Sequence, residues 1–236
     1  MLTLYDLGPT KFPQHIGGSP HVRKIIFALN YKKLPFKLDA ISINSLELTA
    51  KSLGATPTDK HPDGSPKYTV PFLHDSDKNR VVSDSFAIAE YLDEAYPDTP
   101  RLIAEGTAKA QNDLINAREA AIGILLPITY PKVFSLWSED ARALYRGRGA
   151  PLELTLSPEE QKELWAEGRK AFEEAEKQHG GDNDYFFADL ALAGFAWSGR
   201  YPFGEESSEW GELKSWAGGK VGRVTDAVVE YKSQML

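Results

Sequence analysis

The spacing of apolar residues changes along the chain, and each change marks an expected element. "LTLYD", Leu2 to Asp6, has the short apolar pattern of a strand, and a loop rich in Gly and Pro follows it up to Pro20. Val22, Ile25, Ile26 and Leu29 then fall at helical spacing, with Arg23 and Lys24 elsewhere on the wheel, before "LPFKLDAISI" returns to a strand pattern. Strand, helix, strand is the opening of an α/β domain. Residues 44–69 are mixed. "NSLELTAKSLG" is a short helix candidate, and "ATPTDKHPDGSPKYT" reads as a mobile polar loop because four of its fifteen residues are Pro or Gly. "VPFLHD" and "NRVVS", joined by "SDKN", predict an antiparallel hairpin, and Phe86, Ile88, Ala89 and Leu92 predict the helix after it. The first module is therefore βαβ followed by ββα.

After the Pro-rich "PDTPRLIAEG" (Pro97 to Gly106) no strand pattern returns. Helices are expected at roughly 106–138, 158–179, 186–199 and 208–233, the last broken at Gly218 and Gly219. They are separated by "RGRGAPLELTLS" and "YPFGEE". "SPEEQ" supplies Ser157 as a cap, Pro158 at the first helical position and Glu160 three residues after the cap. The domain reading is 1–96, a linker over 97–105, and an all-helical domain over 106–236, with no repeat at a solenoid period.

Composition narrows the chemistry. The net charge of −7, from 27 basic and 34 acidic residues, and the lack of any basic run longer than "YKK" argue against a nucleic-acid partner. No stretch approaches the roughly 18 apolar residues that span a bilayer, and "MLTLYDLGPT" lacks a targeting pattern, so a cytoplasmic protein without membrane contact is expected. The chain has no cysteine, which removes disulfides, thiolate metal sites and a cysteine nucleophile together. Any sulfur chemistry must come from a ligand. The five histidines, at 15, 21, 61, 74 and 179, show no ligand spacing, and no metal is expected.

Three places in the first module carry candidate chemistry. Ser19-Pro20 opens the first helix, Val70-Pro71 enters the third strand, and Asp84-Ser85 opens the last helix. Proline cannot donate to a sheet ladder, so Pro71 belongs at a strand's start, an edge or a bend; taken alone, a trans bond is the ordinary case. On local pattern alone Ser19 reads first as a helix cap, and Asp84 or Ser85 has a cap as its alternative reading.

The order βαβ-ββα followed by helices, together with "SPHVRKIIFAL", "TVPFLHD" and "VSDSFAIAEYL", resembles the cytosolic glutathione transferase family, a thioredoxin-like domain joined to a helical one. The resemblance covers essentially the whole chain. It implies a cis bond at Val70-Pro71, with the Val70 backbone pairing to the cysteinyl part of glutathione. It implies a glutathione site of Ser19, Thr69, Val70, Pro71, Asp84 and Ser85, and a homodimer. The start of the Ser85 helix, where N–H groups lack intrahelical partners, suits the γ-glutamyl carboxylate. Asp84 would take the ligand's ammonium, although the family more usually has Glu or Gln there.

Ser19 is the implied catalytic residue. Lowering a thiol pKa from about 8.5 by two units needs roughly 2.7 kcal/mol. A hydroxyl donating to a thiolate contributes about 1.5–3 kcal/mol, and a helix N-terminus about 0.3–2 kcal/mol. One serine at a helix start is enough, and no base is required. "Ser-Pro" resembles the serine-using members, whereas thiol-transferring members carry "Cys-Pro"; Tyr5, at the end of the first strand, is the competing assignment. Gly17 and Gly18 would let this loop approach the ligand closely.

The long loop before Ser19, with Phe12, Pro13 and His15, resembles the etherase-like branch of lignin-degrading fungi. That implies a wide site for aromatic molecules, turned over or, as in a ligandin, simply held. Candidate second-substrate residues are Phe12, Pro13, Tyr130, Phe134 and Trp137; the last three, spaced i, i+4, i+7, equally describe a core stripe. Pro127 and Pro131 predict a kink in their helix. The family's helical domain usually opens a buried helix with Ser or Thr three residues before Asp. Here Asp189 is present but Phe186 stands where the hydroxyl belongs, so Asn183 or Asp184 is expected to cap and Asp189 to be structural.

Overall fold

A computed structural model describes residues 1–12, 17–147, 150, 152–181, 183 and 185–228. Those residues form two units, Met1–Leu102 and Ile103–Val228. In the first, β1 (Leu2–Leu7), α1 (Pro20–Tyr31), β2 (Phe36–Ile41) and α2 (Leu46–Leu53) are followed by β3 (Asp59–Lys60), β4 (Pro66–Lys67), β5 (Phe72–Asp75), β6 (Arg80–Ser83) and α3 (Ser85–Ala95). The main sheet has the order β2-β1-β5-β6, with β1 parallel to β2 and antiparallel to β5. α1 and α3 pack on each other and on this sheet. This is a thioredoxin-like arrangement.

Every residue of β1 is buried, including Thr3 and Asp6. A central strand has both faces covered, so its polar positions cannot turn to solvent. α1 is enclosed in the same way. Arg23 and Lys24, read as lying off the apolar stripe, are 0% and 2% exposed. Arg23 satisfies part of its guanidinium by donating Nη2 to the Gly17 carbonyl at 2.8 Å. At the other end of α1, buried Lys32 donates Nζ to Asp93 Oδ1 at 2.7 Å and to the Pro100 carbonyl at 3.0 Å, tying α1 to α3 and the connector.

The stretch read as a mobile polar loop is folded as a hairpin, β3 against β4, closed by Gly64 N–H to the His61 carbonyl and by the Asp59–Lys67 ion pair. Its Pro62 and Gly64 lie in the hairpin's turn, and its strands carry no apolar alternation that would reveal them. Val70-Pro71 is cis, as is Gly8-Pro9.

The second unit is all helical: α4 (Ala108–Gly123), α5 (Leu126–Phe134), α6 (Glu139–Gly147), α7 (Pro158–Ala175) running into a π turn (Glu176–Gly180), α8 (Phe186–Phe203) and α9 (Ser208–Ala227). Its core gathers Leu125, Ile128, Phe172, Leu192, Trp210 and Trp216. The single helix expected over 106–138 is two. Pro127 lies in the first turn of α5, and a proline there removes an N–H and crowds the carbonyl four residues back, at Gly123, where α4 ends. α6 was not expected, because "EDARALYRG" carries few apolar positions. α8 runs through Tyr201 and Pro202 to Phe203, taking in the first half of the loop expected at "YPFGEE". α9 is interrupted over Trp216–Gly219, one turn around the expected glycines, and residues 229–233 of the expected helix lie outside the described residues. The Ser157 capping box forms in full.

α8 begins at Phe186 with Tyr185 as N-cap, and Tyr185 makes no side-chain capping bond. Asn183 does not cap as expected: its Nδ2 donates to the Gly180 carbonyl at 3.1 Å. Asp184 lies outside the described residues. The cap comes instead from another helix, as Gln111 Oε1 of α4 accepts from Ala188 N–H at 3.1 Å, the third helical residue. Asp189 is structural. It joins buried Arg118, which also binds Glu176 and the Ala188 carbonyl, with Lys220 3.3 Å from Asp189. Burial alone would raise the Glu176 pKa, but the bond from Arg118 and the nearby cations outweigh it and the pKa is lowered.

Candidate active site

The strand register brings the three candidate segments of the first unit to one end of the sheet. Tyr5 pairs with Phe72 and Phe72 with Ser83. Just past this row lie the end of β1 and Gly17 to Ser19, the Val70-Pro71 entry to β5, and the Asp84-Ser85 exit from β6. Parallel and antiparallel pairing, not proximity in sequence, assembles them.

Ser19 is the N-cap residue of α1, with φ −93° and ψ 136°, and Pro20 holds the first helical position. Its hydroxyl makes no capping bond. Placement and chemistry therefore separate: the backbone takes the cap position, while the side chain is not used by the helix. Ser19 is 8% exposed, so a group bonded by it would be largely desolvated.

Gly17 and Gly18 have a use different from the one expected. Gly17 sits at φ +74°, where a side chain is strained, and a Cβ on Gly18 would stand 2.9 Å from the Leu7 carbonyl oxygen. The close approach is to β1. It exists because the Asp6 carboxylate accepts N–H bonds from Gly18 and, at 3.2 Å, from Ser19. The sequence reading missed Asp6; the only local signal was an acid inside an otherwise apolar strand.

Thr69 is half-buried with its hydroxyl 2.5 Å from that of Thr58. Val70 is buried and lies outside the ladder, whose pairing begins at Phe72. Asp84 is the N-cap of α3, its Oδ1 accepting from Phe86 N–H at 2.8 Å and Ala87 N–H at 3.1 Å. It does so at φ +79° and ψ 134°, a backbone state that costs a non-glycine residue on the order of 1–3 kcal/mol. The carboxylate thus occupies the first-turn donors that a ligand carboxylate would otherwise meet. Ser85 follows, buried. Tyr5 stacks on Phe72 with centroids 4.5 Å apart, and burial, helped by the Asp39 charge, raises its pKa.

The second-substrate candidates fall in both units. Phe12 is buried with the Arg23 guanidinium 5.5 Å from its ring centroid, which makes it a packing partner in the first unit. Pro13 lies outside the described residues. In the second unit Tyr130 and Phe134 stand on α5 and Trp137 beyond its end, so the i, i+4, i+7 stripe is not one helix face. Phe134 nevertheless touches Tyr130, Trp137 and Tyr145, with centroids 5.2, 6.0 and 4.6 Å away. Among the described residues no group of three or more His, Cys, Asp or Glu is placed to hold a metal, and no helix is long and apolar enough to cross a membrane.

Two family models match the chain: the glutathione S-transferase N-terminal domain over residues 18–95 and the glutathione S-transferase C-terminal domain over residues 115–231. A glutathione S-transferase-like protein of Aspergillus flavus is 34% identical over 104 residues, a match spanning 42% of this chain and only 37% of that relative's length. A glutathione S-transferase of Ceriporiopsis subvermispora, solved in complex with glutathione, superposes with a TM-score of 0.85 at 27% identity over 98% of this chain and 97% of that one. A glutathione transferase of Phanerochaete chrysosporium does so with a TM-score of 0.81 at 30% identity over 98% and 96%. With both halves of the fold matched in order and two solved glutathione transferases aligned along nearly their whole length, this chain belongs to the glutathione S-transferase family.

Proposed function

We propose that the chain is a glutathione transferase that binds glutathione at the shared end of its sheet and activates the thiol as a thiolate through Ser19. The observation that carries this is a serine hydroxyl at the N-cap of α1 that the helix itself does not use. A bound sulfur would meet both that hydroxyl and the positive end of α1, and each favours the anion. Val70, outside the ladder beside Pro71, supports strand-like pairing with the cysteinyl backbone. Asp84, whose Oδ1 caps Phe86 and Ala87, supports recognition of the γ-glutamyl end, its Oδ2 taking the ammonium and the Ser85 hydroxyl and N–H, outside that cap, the carboxylate. The glutathione found in the Ceriporiopsis structure supports the same ligand here. The thiolate then forms a C–S bond to an aromatic electrophile as a leaving anion such as halide departs, or to the alkyl carbon of an aryl ether as the C–O bond breaks and aryloxide departs, and the protein acts as a cytoplasmic homodimer. With a chromogenic aryl halide, Ser19→Ala is expected to lower kcat/KM about 10–100-fold, the loss of one hydrogen bond to a charged group. Equal rates would remove Ser19 from the chemistry.

The aromatic cluster around Phe134 favours a second reading, a protein that holds polyphenol-like aromatics with little turnover. Trp137 Nε1 is buried there with no hydrogen-bond partner among the described residues, a donor suited to a ligand oxygen. Tight aromatic-dye binding with no detectable turnover would support it over the first.

A further inference from the structure

Asp6 is the next-to-last residue of β1 and is 2% exposed. Its Oδ1 accepts from Leu7 N–H at 2.8 Å and Ser19 N–H at 3.2 Å, and its Oδ2 accepts from Gly18 N–H. On the other side, the Ser19 carbonyl accepts from Arg23 N–H at 3.0 Å in the first turn of α1, and Arg23 Nη2 holds the Gly17 carbonyl. The Ser19 backbone is thus fixed from both directions, and its hydroxyl is left to move only about the side-chain torsion. Holding a reacting group to a short arc is how a scaffold converts a hydrogen bond into a preorganised one.

We infer that Asp6 is a positioning residue for thiol activation: its carboxylate clamps the Gly18 and Ser19 backbone so that the Ser19 hydroxyl meets the glutathione sulfur. The inference rests on the reading of Ser19 given above. Burial pushes the Asp6 pKa up to about 6, although three backbone N–H bonds and the Arg23 charge pull against it. Arg23, from α1, is the charged group acting on the carboxylate; β2 places Ala40 opposite it, and the loop brings Gly17, Gly18 and Ser19. Asp39 of β2 acts on Tyr5. Protonation turns one accepting oxygen into a hydroxyl and loosens the clamp.

Asp6→Asn tests this, because it keeps the shape but replaces one accepting oxygen with an NH2 donor. The thiolate absorbance of bound glutathione, kcat/KM, and the Kd of an S-alkyl glutathione, which has no thiol to ionise, are measured for wild type, Asp6→Asn, Ser19→Ala and the double variant. The expected result for Asp6→Asn is a thiol about tenfold less acidic and kcat/KM lowered about tenfold, with the S-alkyl Kd within about threefold of wild type. The double variant should be no worse than Ser19→Ala, because Asp6 acts through Ser19. An unchanged thiol acidity in folded Asp6→Asn beside a weakened one in Ser19→Ala overturns the Asp6 inference alone, as do additive effects. Unchanged acidity in Ser19→Ala overturns the Ser19 reading and the inference together. Should Asp6→Asn fail to fold, the wild-type Gly18 and Ser19 amide proton shifts decide: a single titration shared by both amides over the acid range is expected, and signals that stay flat over the whole of that range overturn the clamp.

Discussion

Ser19 and Asp6 act on the same few atoms but differ in what they ask of the fold. A cap serine is tolerated almost anywhere, whereas a buried carboxylate works against stability. The native state holds the Asp6 proton up to about pH 6, while the ordinary value is 3.8, so the native state binds the extra proton between those values. Stability from this group is therefore fully present below the lower value and is lost as pH rises through the upper one, a loss on the order of 2–3 kcal/mol at neutral pH. Asp6→Asn should remove that dependence. The melting temperature of the variant relative to wild type is expected to rise between about pH 4 and 7, and calorimetry across the range checks it; a constant difference would contradict the raised pKa. Gly18→Ala should act at the same place from the other side, since its Cβ meets backbone 2.9 Å away. It is expected to cost about 1–3 kcal/mol of stability and to lower turnover.

Elements whose signals are local were legible before the structure. The α1 helix, the hairpin of β5 and β6, the start of α3 and the Ser157 capping box each depend on residues a few positions apart, and each forms where expected. The elements that were missed lacked such a signal. β3 and β4 are polar on both faces, α6 has a short apolar stripe, and the first turn of α8 takes its cap from Gln111, 77 residues away in sequence. That last device is testable. Gln111→Ala leaves the buried Ala188 N–H without its acceptor and should cost about 1–3 kcal/mol in urea denaturation, with faster hydrogen exchange in the first turn of α8. A neutral result would mean that the helix start is satisfied without it. The Asp84 cap shows the limit in the other direction: its position was readable, its positive φ was not.

At the scale of the whole molecule, composition makes its own prediction. With no cysteine anywhere, a thiol-alkylating reagent should leave activity toward an aryl halide unchanged after its removal, and no mixed disulfide with glutathione should be detectable by mass spectrometry. Loss of activity would require another modified group at the site. The sequence by itself determined the βαβ-ββα order of the main sheet and its helices, the change to an all-helical half, the starts of α1, α3 and α7 and the exclusion of cysteine chemistry, because periodicity, caps and composition are local or additive. The tertiary structure alone decided that Arg23 and Arg118 are buried, that Phe12 packs on Arg23, and that Asp6 reaches across 13 residues to hold Ser19. These are polar groups satisfied by distant partners, and a buried polar group declares its role only when the atom that satisfies it is in place.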